Sequence, residues 1–404
     1  MTKLEQLIEE LCPNGVEYRT LNTICNVYDG THQTPQYTDS GIKFASVENI
    51  ADPYATEKYV SVSDYEKYKI KPQRNDLLMT RIGSIGVCTV IESDEPLAYY
   101  VSLALLRPDN SILNSRYLKY AIESLHCRKE LRKRTLVNAV PIKINMGDIG
   151  KITLPVPPLP VQREIVRILD NFTELTAELT AELTAELTAR KKQYAYYRDK
   201  LLSTNNSSVP VVELRDIVKK SCSGATPAKG NAEYYENGTI PWIRTQDVRF
   251  NEITEVNSYI TEKAVSETAA KWIPENCVIV AISGATAGRC AINKIKATTN
   301  QHCLNLIIDD SMALYRYIFH CLCSKYGELI SRKQGARGDL NASLILSLPI
   351  PIPSLEIQKR LVEVLDNFDS ICTDLNIGLP AEIEARQKQY EYYRDKLLSF
   401  EEKT

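Results

Sequence analysis

No apolar run in these 404 residues approaches the roughly 20 needed to cross a bilayer. The longest, such as Leu103–Leu106 and Val278–Ile282, stop after a turn's worth of chain. Groups that perform chemistry are equally scarce. There are 4 histidines, none in a nucleophile–base arrangement. No G-x-x-x-x-G-K-[ST] loop exists to cradle a nucleotide triphosphate. Asp52-Pro53-Tyr54 lacks the second proline of an (N/D)PP(Y/F) adenine-amino motif, and no glycine-rich cofactor loop follows a strand. Pro108-Asp109 is followed by no D/E-x-K, so a nuclease site is not expected. The 11 cysteines contain no C-x-x-C pair. His302/Cys303 and His320/Cys321/Cys323 are local His/Cys groups too sparse for four zinc ligands, so no metal is expected. Buried thiols acting as small hydrophobes are expected instead. Basic excess is also missing: 49 Lys+Arg against 51 Asp+Glu leave a net charge of −2, which does not advertise a nucleic-acid binder. The first ten residues carry acids where a signal peptide needs an apolar core, so a cytoplasmic protein without membrane association is expected.

What is present is a long internal repeat. Gln162–Ser203 aligns without a gap to Gln358–Ser399 at an offset of 196, with 23 of 42 positions identical. Both copies carry Leu-Asp-Asn-Phe (169–172 and 365–368) and end in Lys-Gln-Tyr-x-Tyr-Tyr-Arg-Asp-Lys-Leu-Leu-Ser (192–203 and 388–399). Both are preceded by a proline-rich lead-in, at 154–162 and 348–358. Ile165, Ile168, Leu169 and Phe172 mark one helix face. Thr-Ala-Glu-Leu occurs three times over Thr176–Leu187, and no Gly or Pro interrupts 161–203. This predicts a helical rod of roughly 60 Å. Gly378-Leu379-Pro380 should kink or break the second copy. A rod with a leucine stripe needs a partner, and the other copy, packed antiparallel, is the nearest. Leucines spaced by four drift about 40° per step, so Leu175 to Leu187 cannot all share one seam.

The segments outside the rods read alike in outline. Each has a Gly/Thr/Pro loop (Asp29–Pro35 and Ser223–Pro227) and a short apolar strand (Ile42–Val47 and Ile240–Ile243). Each then runs an apolar strand into a glycine turn (Leu77–Gly86 and Val278–Gly288) and continues into a helix (Ser115–Arg134 and Met312–Lys333). The expected fold is α/β (mixed α+β): two similar globular heads separated by two long helices that form an antiparallel coiled coil, in a quasi-twofold circular arrangement with neighbouring termini. The divisions expected are 1–153 for the first head with a short amino-terminal helix, 154–206 for the central helix, 207–347 for the second head and 348–404 for the distal helix. Leu4, Leu7, Ile8 and Leu11 give the amino-terminal helix an apolar stripe. Trp242 and Trp272 are expected in the core.

Duplicated rods on divergent heads, the two proline lead-ins, the Thr-Ala-Glu-Leu array and the Gly/Thr/Pro loops together resemble the specificity (S) subunit of type I restriction–modification systems, in its IC-like branch. The resemblance covers essentially the whole chain. It implies a non-catalytic subunit whose heads are target recognition domains, each reading one half of a bipartite double-stranded DNA target. It implies that the helical pair sets the spacer and docks two methylase (M) subunits, that restriction (R) subunits join through the complex, and that S-adenosylmethionine, ATP and Mg belong to those partners, with no cofactor in this chain.

Under that reading the local charge matters more than the total. Basic runs fall at matching places in the heads, around Arg132 and Arg134 and around Arg332 and Arg337. They suit phosphate contacts. Base reading needs forked or bidentate groups. The loop candidates are Thr31, His32, Gln33, Lys43, Arg81, Ser84, Asn138 and Lys143 in the first head. In the second they are Thr226, Lys229, Arg244, Thr245, Gln246, Ser283, Thr286, Arg289 and Gln334. Asp247 either contacts a base or caps a helix. Tyr194, Tyr197, Arg198, Tyr390, Tyr393 and Arg394 are the candidate subunit-docking residues, although such tyrosines also suit sealing the helix pair. Tyr196 and Tyr392 lie about 100° from Tyr197 and Tyr393, so one face cannot hold all of them. The rival reading is a non-enzymatic protein-binding adaptor with two interaction heads on a helical spacer. Salt-dependent duplex binding separates the two.

Overall fold

In a computed structural model of the chain, residues 1–32, 35–203, 208–333, 339–374 and 377–403 are described. The Ala/Glu/Leu-rich stretch forms one 43-residue helix, Leu159–Leu201, with Pro160 in its first turn where a missing N–H costs nothing. The second copy breaks as Pro380 requires: one helix spans Leu355–Thr373 and another Leu379–Leu397. The drift along the leucine stripe is visible in burial, with Leu175 exposed and Leu183 buried.

By contact the chain divides into two compact units, Met1–Glu182 with Ile383–Thr404, and Leu183–Glu382. The boundaries fall inside the helices. In the first unit Phe172 packs edge-on against Tyr393 at 6.0 Å, and Thr173 Oγ1 meets the Tyr390 hydroxyl at 3.0 Å. Numbers rise on one helix as they fall on the other, so the pair is antiparallel. In the second unit Tyr197 lies on Phe368 at 6.3 Å, the same contact shifted by the repeat offset. Each unit thus joins the Leu-Asp-Asn-Phe helix of one copy to the tyrosine-rich helix of the other. Both chain ends lie in the first unit, where Val16 pairs with Glu402. The amino-terminal helix Lys3–Leu11 is closed by a Thr2/Glu5 capping box and buries Leu4.

The heads share a strand plan. In the first, Cys25–Asp29, Leu103–Pro108, Leu77–Thr80 and Cys88–Val90 form an antiparallel sheet in that spatial order. In the second, Val218–Ser223, Cys303–Ile308, Val278–Ala281 and Cys290–Asn293 repeat it, with Asn251–Ile253 added at the edge. A second sheet in each head contains a parallel pair, Ile42–Ala45 with Leu97–Tyr99 and Ile240–Ile243 with Ala297–Thr299. The central strands are apolar on both faces, as Leu77–Met79 and Val278–Ala281 require. All cysteines but the half-buried Cys222 are buried. Trp242 is in the core, but Trp272 is not: it sits on the edge strand Trp272–Ile273, exposed, with Lys296 Nζ 4.7 Å from its ring. Successive side chains of a strand point to opposite faces, so the buried Ile273 leaves Trp272 on the open one.

Matching polar clamps fix each head to its own helices. Gln162 accepts from the Asn114 N–H at 2.8 Å and donates to the Ile112 and Pro157 carbonyls. Gln358 does the same with Leu314, Met312 and Pro353. The hydroxyls of Tyr117 and Tyr317 donate to the Pro155 and Pro351 carbonyls. The Gln162, Gln358, Tyr117 and Tyr317 side chains are themselves buried, which strengthens bonds they make in a low-dielectric setting.

Candidate nucleic-acid interface

The loops of the first head converge on one ion pair. Asp29, at the end of its strand, accepts from Arg81 Nη1 at 2.6 Å. The Arg81 side chain is about a tenth exposed and also donates to the carbonyls of Val101 and Ile144. The other Asp29 oxygen meets His32 Nε2 at 2.9 Å, and the Tyr99 hydroxyl donates to the Asp29 carbonyl. Thr31 bridges to Tyr100, and Gly30 allows the approach because a Cβ there would strike the Tyr100 carbonyl. Four segments meet here: the Gly/Thr/Pro loop, the end of the central strand, the turn at 100–102 and the chain at 142–144.

The second head reaches the same topology with other chemistry. Ile282 occupies the place of Arg81, and the Leu340 N–H bonds its carbonyl as Ile144 bonds that of Arg81. Polarity moves to the neighbouring turn. Thr226 Oγ1 bonds Gln301 Oε1, and Gln301 Nε2 meets His302 Nε2 at 3.1 Å. Arg244 lies over Trp242 at 5.8 Å, and its buried Nε has no hydrogen-bond partner among the described residues. Gly224 is required by the Thr299 carbonyl, which a Cβ would overlap. Asp247 caps the short helix Thr245–Asp247 by accepting from the Arg244 N–H at 2.8 Å.

The glycine turns also match. Gly83 and Gly86, like Gly284 and Gly288, have positive φ, and the second of each pair bonds back to the end of its strand. They hold Ser84 exposed in one head, and Ser283, Thr286 and Arg289 half-buried in the other.

The structure therefore gathers Thr31, His32, Arg81, Ser84 and Lys143 at one end of the first head, with Asn138 on the adjoining exposed loop. Lys43 is not in that group: it lies on the second sheet, 6.0 Å from the Tyr54 ring. Arg132 is exposed, while Arg134 is tied to Glu130 at 2.6 Å. In the second head Thr226, Arg244 and Ser283 flank the same turn, Thr245 and Gln246 come directly after it, and Lys229 is exposed farther along the loop. Arg332 is paired with Glu328. Gln33, Gln334 and Arg337 lie outside the described residues. Sequence reasoning missed Asp29, Gln301 and His302 as site residues. An acid directly before a loop glycine was the available signal for the first; no local pattern marks the others.

On the helices the candidate docking residues divide by depth. Tyr194 is half-buried, its hydroxyl 3.2 Å from His320 Nδ1, with Arg198 over its ring. Tyr390 bonds Thr173, and Arg394, 3% exposed, bonds Asp395 inside the first unit. These face inward. Tyr197 and Tyr393 cover phenylalanines and keep an open edge. The outermost aromatics are Tyr196 and Tyr392, 60% and 62% exposed.

Asp366 shows the electrostatics of the junction in the second unit. Burial raises its pKa, but hydrogen bonds from His320 at 2.7 Å and Arg316 at 2.8 Å outweigh that and hold it below the ordinary 3.8. A carboxyl depressed by folding adds stability that is complete above its unfolded pKa and is lost as pH falls through the folded one. The expected result is a stability loss in the second unit below about pH 4. Asp366→Asn should lower stability at neutral pH and flatten that acid limb, read by hydrogen exchange of the helix Leu355–Thr373 across pH.

Comparison with known proteins agrees with this architecture. A family model described as the type I restriction modification DNA specificity domain matches residues 13–189 and 206–385. The Escherichia coli type I restriction enzyme EcoR124I/EcoR124II specificity subunit is 41% identical over 261 residues, covering 62% of this chain and 63% of that protein's own length. A chain solved in work on complex assembly and conformational transition of the type I R-M system superposes with a TM-score of 0.71 at 14% identity, over 96% of this chain and 98% of that one. The HsdS subunit from Thermoanaerobacter tengcongensis gives 0.53 at 14% identity, over 96% of each chain. At such identities the two structures speak for the fold alone.

Proposed function

Because the chain belongs to the type I restriction modification DNA specificity family, we propose that it is the sequence-reading subunit of such a complex, each head taking one half of a bipartite double-stranded target. The observation that carries this is the pair of heads with one strand plan and different polar groups at the same loop cluster. A constant frame with altered contact residues is what two half-sites of different sequence require. Thr31, His32, Ser84, Asn138 and Lys143 contact the first half-site, and Thr226, Arg244, Thr245, Gln246, Ser283, Thr286 and Arg289 the second. Arg81 acts as a positioning residue. Arg132 contacts phosphates, so binding weakens as salt rises.

The chain supplies no catalytic group. S-adenosylmethionine, ATP and Mg are held by the methylase and restriction subunits, and the complex works in the cytoplasm. Among the described residues no helix is long and apolar enough to cross a membrane. Two methylase subunits dock on the paired helices, where Tyr196 and Tyr392 supply the exposed aromatic area, one in each unit.

The test is co-expression with a methylase subunit of the same type I system, and then mapping of methylated adenines across the genome. A split motif with a fixed gap is the expected result. A stable complex that leaves DNA unmethylated and binds no duplex would favour the adaptor reading instead.

A further inference from the structure

After the basic end of the helix Leu125–Arg134 the first head carries a loop in which the seven residues 136–142 hold four exposed apolar side chains. Leu136 is 43% exposed, Val137 59%, Val140 100% and Ile142 42%. Single apolar residues on a surface are ordinary, but four within seven residues are not. The loop is also anchored. The Leu136 N–H bonds the Lys143 carbonyl at 2.8 Å, the Gly83 N–H bonds the Ile142 carbonyl at 2.9 Å, and the Ile144 N–H bonds the Arg81 carbonyl at 3.0 Å. Its base is thus bonded directly to the Arg81 hub, and its apolar tip is held outward.

The surroundings select the occupant. Arg132 precedes the segment and Lys143 follows it, both exposed. A protein partner needs about 800 Å² of surface on each side, far more than four small side chains present. A polyanion with an apolar feature in its groove fits both the charge and the size. On the edges of the bases in the major groove that feature is the thymine C5-methyl group.

We infer that the loop Leu136–Ile142 is an apolar finger that reads a thymine methyl in the half-site of the first head, with Val140 as its contact. The inference rests on the DNA-reading function proposed above and names one of its specificity determinants. The finger gives the first head a preference that hydrogen-bonding residues cannot supply, because the methyl group offers neither donor nor acceptor. Arg132 and Lys143 hold the flanking phosphates.

The experiment uses the full chain assembled with its methylase partner, and duplexes in which deoxyuridine replaces thymine one position at a time across the target. Deoxyuridine keeps base pairing and removes only the methyl group. At one position of the first half-site, wild-type binding should fall about fourfold, the loss expected when one methyl leaves contact for water. Val140→Asn should weaken binding to the thymine duplex and abolish the difference between the two bases. Val62→Asn, at an exposed valine on the helix Val62–Tyr65 outside the finger, should leave that difference in place. If no position in the first half-site discriminates, or Val140→Asn still discriminates, the finger is overturned while the two-headed function stands. A complex that binds no duplex sequence-specifically overturns both.

Discussion

Deleting one Thr-Ala-Glu-Leu unit, Thr180–Leu183, should abolish methylation at the original spacing and create activity at a new one, with both half-sites unchanged. Four residues shorten an α-helix by about 6 Å, up to two base pairs of duplex length, and turn the helix beyond the deletion by about 40°. The helix Leu159–Leu201 runs without a break through both units, whereas the helix Leu379–Leu397 gives only its first turn to the second unit. A shift of ~1 Å at a reacting centre already costs about a hundredfold, so the loss at the old spacing should exceed that. Sequencing methylated adenines in the deletion variant against wild type reads both changes together. An unaltered gap would mean that the helix does not set the spacing.

Asp29→Ala should destabilise the first head by about 3 kcal/mol, because it strands a buried guanidinium without its counter-charge. Arg81→Met should cost less in stability, since methionine fills the site without a charge. The double variant should recover much of the loss, less than the sum of the singles. None of the three should read the first half-site normally, because the Asp29–Arg81 pair holds His32, the 81–86 turn and the 142–144 segment in one place. The second half-site should be read as before, as Ile282, which carries no charge to pair, stands where Arg81 does. Hydrogen exchange over Cys25–Asp29 and Leu77–Thr80, with Val278–Ala281 as internal control, measures the stability effect. Binding to duplexes mutated in one half-site at a time measures the other. Equal damage to both half-sites would show that the hub supports the whole chain and not one head.

Both predictions lean on features of unequal visibility. The rods were legible because helix-forming composition and an apolar stripe are local properties. So was the exchange of partners between copies. An uninterrupted helix cannot fold back on itself, so the other copy, packed antiparallel, is its nearest partner, and that packing sets the Leu-Asp-Asn-Phe half of the first rod against the tyrosine-rich helix of the second copy. The break at Gly378–Pro380 comes from one missing N–H. The glycine turns and the Gly/Thr/Pro loops align between heads by residue type alone.

The site was legible as a neighbourhood and not as an arrangement. Arg81 reads as a free basic residue on a loop, yet Asp29, 52 positions away, draws it inward. Arg394 reads as a surface cation in a tyrosine-rich stretch, yet it is buried within its unit beside Asp395. Tyr196 and Tyr392, left out of the docking set, are the tyrosines of that stretch that point farthest outward. Trp272 looks like core by type and lies on an edge.

The division has a physical basis. Helix formation, breaks at proline and the need for glycine depend on neighbours within a few residues, so the chain by itself determined the rods, their exchange and the doubled plan of the heads. Which charges are neutralised, which aromatics are covered and which loop stands open depend on residues brought together from 50 or more positions apart, as Asp29 with Arg81 and Arg316 with Asp366 show. Those pairings are set by long-range packing, and only the tertiary structure decided them.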